Sequence, residues 1–146
     1  EDQITDLFER EIAADLIPMG KADIIISVEP MEALRYLPML KPKGWVITNT
    51  NPFINIPNYP EKEVLLERIN KLSHKIALDA DEISKNLGSA RSSNMVILGA
   101  ASPFLQLKIE DIEQTIKETF ISKGQEVVDV NIACLHAGRD FADKNK

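Results

Sequence analysis

The sequence is poor in the residues that most often announce a chemistry. It has a single cysteine among 146 residues, two histidines, six glycines and one tryptophan, and aromatic side chains make up only 5%. One cysteine cannot close an internal disulfide, so a secreted-type disulfide framework is excluded. It also cannot supply the four thiolates that an iron–sulfur cluster ordinarily takes. The glycines are widely scattered. The closest pair, Gly88 and Gly99, is eleven residues apart, so neither G-x-G-x-x-G nor G-x-x-x-x-G-K-[ST] occurs. No standard phosphate-cradling loop is encoded. No apolar run approaches the roughly 20 residues that span a bilayer, and no Asn-x-Ser/Thr sequon is present. The acidic stretch from Glu1 to Glu11 has no signal-peptide core. A reducing cytoplasm is the expected compartment, with no membrane association.

Positive charge is also in short supply. Lys and Arg number 17 against 23 Asp and Glu, a net charge of −6. A nucleic-acid partner is not expected, because phosphates demand clustered cations. The 44% hydrophobic content is that of an ordinary folded domain, and a chain of about 150 residues reads as one domain. His74 and His136 are far apart and neither lies in H-E-x-x-H, so no metal site is expected. Cys134 falls on an apolar helical stripe and reads as a small core residue rather than a nucleophile. His136 reads as exposed. No G-x-S-x-G motif supports a hydrolase built on either histidine.

What is present alternates between strand-like and helix-like stretches, which points to α/β. Asp23–Val28 is β-branched without alternation, as in a strand buried on both faces. Glu29-Pro30 opens a helix to about Leu40, with proline at the tolerated first turn. Lys41-Pro42-Lys43-Gly44 reads as a turn, Trp45–Thr50 as a second strand, and the proline- and asparagine-rich 51–60 as a loop. Residues 61–72 are helical, with Leu65, Ile69 and Leu72 on one stripe. Residues 75–79 form a third strand. Residues 81–87 form a short helix ended by Gly88, and 93–101 a buried one stopped before Pro103. Ile109, Ile112, Ile116 and Phe120 mark a helix closed by Gly124. Val127, Val130, Cys134 and Phe141 mark the last helix, with 143–146 expected to fray. Ile4, Leu7, Phe8 and Ile12 suit a helix ahead of Ile17-Pro18.

Two places suit ligands. In open α/β sheets ligands sit beyond the carboxyl ends of strands, where Glu29 and then Asn49, Thr50 and Asn51 fall. Arg91-Ser92-Ser93-Asn94 opens a helix, and a helix start with hydroxyls and an arginine suits an anion. Ser92 or Ser93 also suits plain N-capping. Candidate cofactor-binding residues are therefore Glu29, Asn49, Arg91 and Asn94, with no catalytic residue assigned.

The stretch Leu16-Ile17-Pro18-Met19-Gly20-Lys21-Ala22-Asp23, a strand, Glu29-Pro30 and Glu32-Ala33-Leu34-Arg35 together resemble the gamma-type module of 2-oxoacid:ferredoxin oxidoreductases. Asn49 after the second strand fits, as does Asn94-Met95-Val96-x-Leu98-Gly99 after Leu87-Gly88. The resemblance runs from about Ile12 to Gly138 and leans to the indolepyruvate enzyme's beta subunit. It implies a three-layer α/β/α sandwich with a mainly parallel, Rossmann-like sheet over residues 1–146. It implies a subunit of an enzyme that decarboxylates a 2-oxo acid oxidatively to an acyl-CoA and passes electrons to ferredoxin. Thiamine diphosphate, magnesium and iron–sulfur clusters would be carried by a larger thiamine-binding partner subunit, none of them in this chain. The glycine-rich opening G-x-G-G-Q-G of such modules and its later Ser-x-Arg-Gly-Gly-like segment are absent, so the chain is expected to lack the first β-α portion. Uncovered sheet edges then predict a homo-oligomer for the isolated chain. The alternative is a stand-alone small-ligand- or nucleotide-binding α/β domain.

Overall fold

The computed structural model describes residues 16–146, so the helix expected around Ile4–Ile12 lies outside the described residues. Three strands form a parallel sheet in the order β1 (Ala22–Ser27), β2 (Leu40–Asn49), β3 (Lys75–Leu78). The short helix α1 (Pro30–Arg35) crosses from β1 to β2, and α2 (Lys62–Asn70) crosses from β2 to β3. After β3 the chain is helical: α3 (Ala80–Asn86), α4 (Ser93–Ala101), α5 (Ile109–Phe120) and α6 (Gln125–Asn145). Helices α1 and α2 pack on each other and on the sheet, while α4 and α6 pair with each other on the sheet's other side. The three-layer α/β/α expectation is met. Among the described residues no helix is long and apolar enough to cross a membrane.

Only the central strand is buried on both faces. Val46, Ile47, Thr48 and Asn49 of β2 are all buried, as the uninterrupted apolar pattern of a parallel strand requires. Strand β1 departs from that expectation. Among the described residues it lies at the sheet edge, with Ile26 44% exposed. The expected turn at 41–44 is instead the first part of β2. Leu40 already pairs with Ala22, and the extra residues are absorbed as an irregularity before Trp45 meets Ile24. Pairing with β1 thus overrides a local Pro-Lys-Gly turn signal. The helix expected to reach Leu40 stops at Arg35 and is followed by a 3-10 turn, Leu37–Met39, with Pro38 inside it. At the other end, the tail expected to fray stays helical to Asn145.

The main core lies between the sheet and the α4/α6 layer. Ile47, Ile76 and Leu78 meet Val96, Ile97, Ala100, Cys134 and Ala142, with Ile24, Trp45 and Phe104 at the margin. Cys134 is buried there as a small apolar residue, and burial pushes its thiol pKa up. The buried face of α6 runs through Val128, Asn131, Leu135 and Gly138 as well, leaving Val127 and Val130 only half-buried. The stripe expected from Val127 and Val130 is therefore rotated by one residue. The cause is how closely α6 approaches α4. A Cβ on Gly138 would lie 1.8 Å from the Val96 carbonyl oxygen, and one on Gly99 would lie 1.9 Å from that of Leu135. The two backbones touch at glycines on both sides. The stripe of α5 follows the sequence reading: Ile112 and Ile116 are buried and pack on Leu135, with Ile109 and Phe120 beside them.

Candidate functional site

The carboxyl ends of the three strands carry two polar clusters, one at Glu29 and one at Asn49. Glu29 follows β1 and is 5% exposed. Its carboxylate caps α1, accepting from the backbone N–H of Met31 (3.2 Å) and of Glu32. The Tyr59 hydroxyl, from the long loop after β2, donates to the same carboxylate at 2.6 Å. Burial, followed by the hydrogen bond to Glu29 and its charge, holds the Tyr59 phenol well above its usual range, so it stays a protonated donor. Glu29 thus fastens that loop to the end of the neighbouring strand.

Asn49 ends β2, also buried. Its Nδ2 donates to Asp81 at 2.9 Å, and its Oδ1 accepts from the backbone N–H of Ala80 (3.1 Å) and Asn51 (3.3 Å). Asn51 donates to both Asp79 (2.6 Å) and Asp81 (3.0 Å) and accepts from Lys62 at 3.3 Å. Asp79 caps α3 through the Glu82 N–H. For Asp81, burial alone would raise the pKa, but hydrogen bonds from Asn49, Asn51 and Ser93 outweigh it and hold the carboxyl below its ordinary value. Every polar atom of this network with no access to solvent is satisfied. Its groups orient the loops at the strand ends and hold a fixed negative charge at Asp81.

Arg91 and Asn94 lie elsewhere. They line a cavity of about 590 Å3 shared with Leu87, Ser92, Lys123 and Asn131, to which neither Glu29 nor Asn49 contributes. The four sequence candidates therefore fall into two places, Glu29 and Asn49 at adjacent strand ends and Arg91 and Asn94 in the cavity. Ser92 stands at the N-cap of α4 but makes no side-chain cap. Its hydroxyl meets that of Ser89 at 2.8 Å.

A scan against family models matches residues 7–141 to the pyruvate ferredoxin/flavodoxin oxidoreductase family. The chain belongs to this family. Relatives named indolepyruvate oxidoreductase subunit IorB agree. The one from Archaeoglobus fulgidus is 34% identical over 141 residues, covering 90% of this chain and 69% of its own length. The one from Thermococcus kodakarensis is 32% identical over 145 residues, covering 90% and 68%. The pyruvate/ketoisovalerate oxidoreductases common subunit gamma of Pyrococcus furiosus is 34% identical over 102 residues, 67% of this chain and 51% of that subunit. Among solved structures, a 2-oxoglutarate:ferredoxin oxidoreductase from Magnetococcus marinus, with 2-oxoglutarate, coenzyme A and succinyl-CoA bound, superposes with a TM-score of 0.62 at 20% identity. The match covers 91% of this chain and 22% of that one and establishes the shared fold.

Within this oxidoreductase-family fold, the sequence reading missed Tyr59, Asp81, Lys62 and Lys123. Tyr59 lies 30 residues from Glu29 and Asp81 lies 32 from Asn49, so no local spacing joins them. The signal available for Asp79 and Asp81 was their place after β3, the same rule that picks out Glu29 and Asn49. His136 meets Glu113 at 2.6 Å and is exposed, and His74 packs 5.1 Å from Trp45. Among the described residues no group of three or more His, Cys, Asp and Glu could hold a metal ion. With one buried cysteine besides, those residues do not supply the thiolates of an iron–sulfur cluster.

Proposed function

We propose that this chain is an assembly subunit of an indolepyruvate-type (aryl 2-oxo acid) ferredoxin oxidoreductase. The complex oxidatively decarboxylates a 2-oxo acid to an acyl-CoA and passes the electrons to ferredoxin. The observation that carries this reading is the similarity to the IorB subunits across 90% of the chain. Thiamine diphosphate, magnesium and iron–sulfur clusters are assigned to a larger partner subunit, and no reaction step is assigned to this chain. Its part is to present a folded surface to that subunit in the cytoplasm as one α/β unit.

The structure offers a face suited to that part. The β1 edge and its surroundings leave Leu16, Ile17, Met19, Ile26, Val28 and Tyr36 exposed, and most of them border an apolar groove of about 640 Å3. Phe53 and Ile54 project from the loop fastened by Tyr59. Among the described residues β1 is an edge strand with apolar flanks, and such an edge suits docking. In the isolated chain the same surface drives self-association, which light scattering at micromolar concentration reads directly. The decisive experiment is co-purification from the native host with a tag on this chain. A larger thiamine- and iron-containing subunit is expected in the eluate, and its absence overturns the reading.

A further inference from the structure

The cavity lined by Arg91 has the makings of a ligand site, on grounds that do not depend on the assembly role. It lies between the 87–92 loop, the start of α4 and the α5–α6 junction. Two cations line it, Arg91 and Lys123, and among the described residues neither has a carboxylate partner. Lys123 is placed by the Phe120 ring, 5.8 Å from its ammonium. One carboxylate, Glu126, lines the same cavity, so two positive charges stand against one negative. Helices α4 and α6 both begin here, through Ser92 and Asn94 and through Glu126 and Val127, and neither start has a side-chain cap. Their first N–H groups lack intrahelical partners and carry the positive ends of the helix dipoles.

Asn131 points to a ligand independently of the charges. It is 5% exposed and lines the cavity. Its Nδ2 donates to the Val127 carbonyl at 2.8 Å, while its Oδ1 has no partner among the described residues. Every solvent-inaccessible side-chain polar atom there is satisfied, so this unpaired Oδ1 opens onto the cavity as a free acceptor.

We propose that the cavity binds a small phosphate monoester whose carbon skeleton carries a hydroxyl or amine. The phosphate, with a charge of about −1.5 to −2 and three acceptor oxygens, matches two cations and an open helix start better than a carboxylate does. Arg91 offers paired donors and Lys123 a point charge. The skeleton's hydroxyl or amine donates to Asn131 Oδ1, and Val127 and Val130 cover its methylene side.

The test is amide NMR of the full chain titrated with inorganic phosphate and, separately, glycerol 3-phosphate, against chloride at matched ionic strength. Saturable shifts are expected at Ser92, Asn94 and Val127. Glycerol 3-phosphate should bind about fivefold tighter than phosphate, the value of one added neutral hydrogen bond. The double variant Arg91→Ala/Lys123→Ala, at exposed positions that leave the fold intact, should weaken both ligands about tenfold or more. Asn131→Ala should erase the preference between them. Absence of saturable shifts, equal affinity for the two probes, or binding that survives loss of both cations overturns the proposal. None of these results bears on co-purification with a larger subunit, so the two readings fail separately.

Discussion

The two helical layers of this molecule solve the same packing task differently. Helices α4 and α6 lie backbone to backbone through Gly99 and Gly138 and close their side of the sheet with Val96, Ile97, Cys134 and Ala142. On the other side α1 has six residues and α2 nine, and the apolar side chains left open to solvent, Ile26, Val28 and Tyr36, gather at the β1 edge, where Ile26 lies beside Ile47 on the α4/α6 face. The first layer is held by close contact that tolerates no added methyl. The second is held by polar ties at the strand ends, and the β1 edge between the layers leaves apolar surface to be covered from outside. Stability is therefore concentrated in the α4/α6 layer and association at the β1 edge.

The sharpest way to break that contrast is to add a methyl at the touching point. Gly138→Ala must displace the Val96 carbonyl, and we expect a loss of about 3 kcal/mol or more, read as a large fall in thermal midpoint. A stability within experimental error of the parent would show that the layer is not close-packed. Next comes the strand-end network. Asn49→Ala strands the Ala80 and Asn51 N–H groups and removes a donor from Asp81, with an expected cost of about 1–3 kcal/mol by denaturant titration. Tyr59→Phe is milder, about 1 kcal/mol, because Glu29 keeps its two backbone donors. Its clearer signature should be faster amide exchange across the 51–60 loop.

Acid should separate the network from the glycine contact. Asp81 titrates below its unfolded value, so its contribution is complete above about pH 4 and disappears as pH falls through the depressed value. Thermal midpoints from neutral to acid pH should drop less steeply in Asp81→Asn than in the parent, and parallel curves would refute the assigned hydrogen bonds. The smallest effect on folding belongs to the open β1 edge. Ile26→Ser with Val28→Ser should change the stability of the isolated chain by only about 0.5 kcal/mol, yet abolish recovery of the larger subunit. Undiminished recovery would place the docking face elsewhere.

Much of this architecture could be read from local sequence. The Ile24–Ile26 run, Glu29-Pro30 and the α5 stripe each carry their signal within a few residues, and each forms the expected element. Residues 41–44 mislead because Leu40 pairs with Ala22 across the sheet, a contact that no window around Pro42 contains. Glu29 and Asn49 were legible as site candidates through their place after strands. Their engagement by Tyr59 and Asp81 was not, since those partners arrive only when the loop and β3 are in place. Asn131 offered no sequence signal. Its role comes from a buried position on α6 facing a cavity built by three other segments.

The lone tryptophan has a practical consequence. Trp45 stands at the margin of the main core with Phe104, from the turn that follows α4, 4.5 Å away on centroids. Its emission is therefore a built-in gauge of whether the glycine-welded layer is seated on the sheet. A spectral red shift that precedes the loss of helical signal on heating would mean that the layer lifts away as one body while its own helices persist.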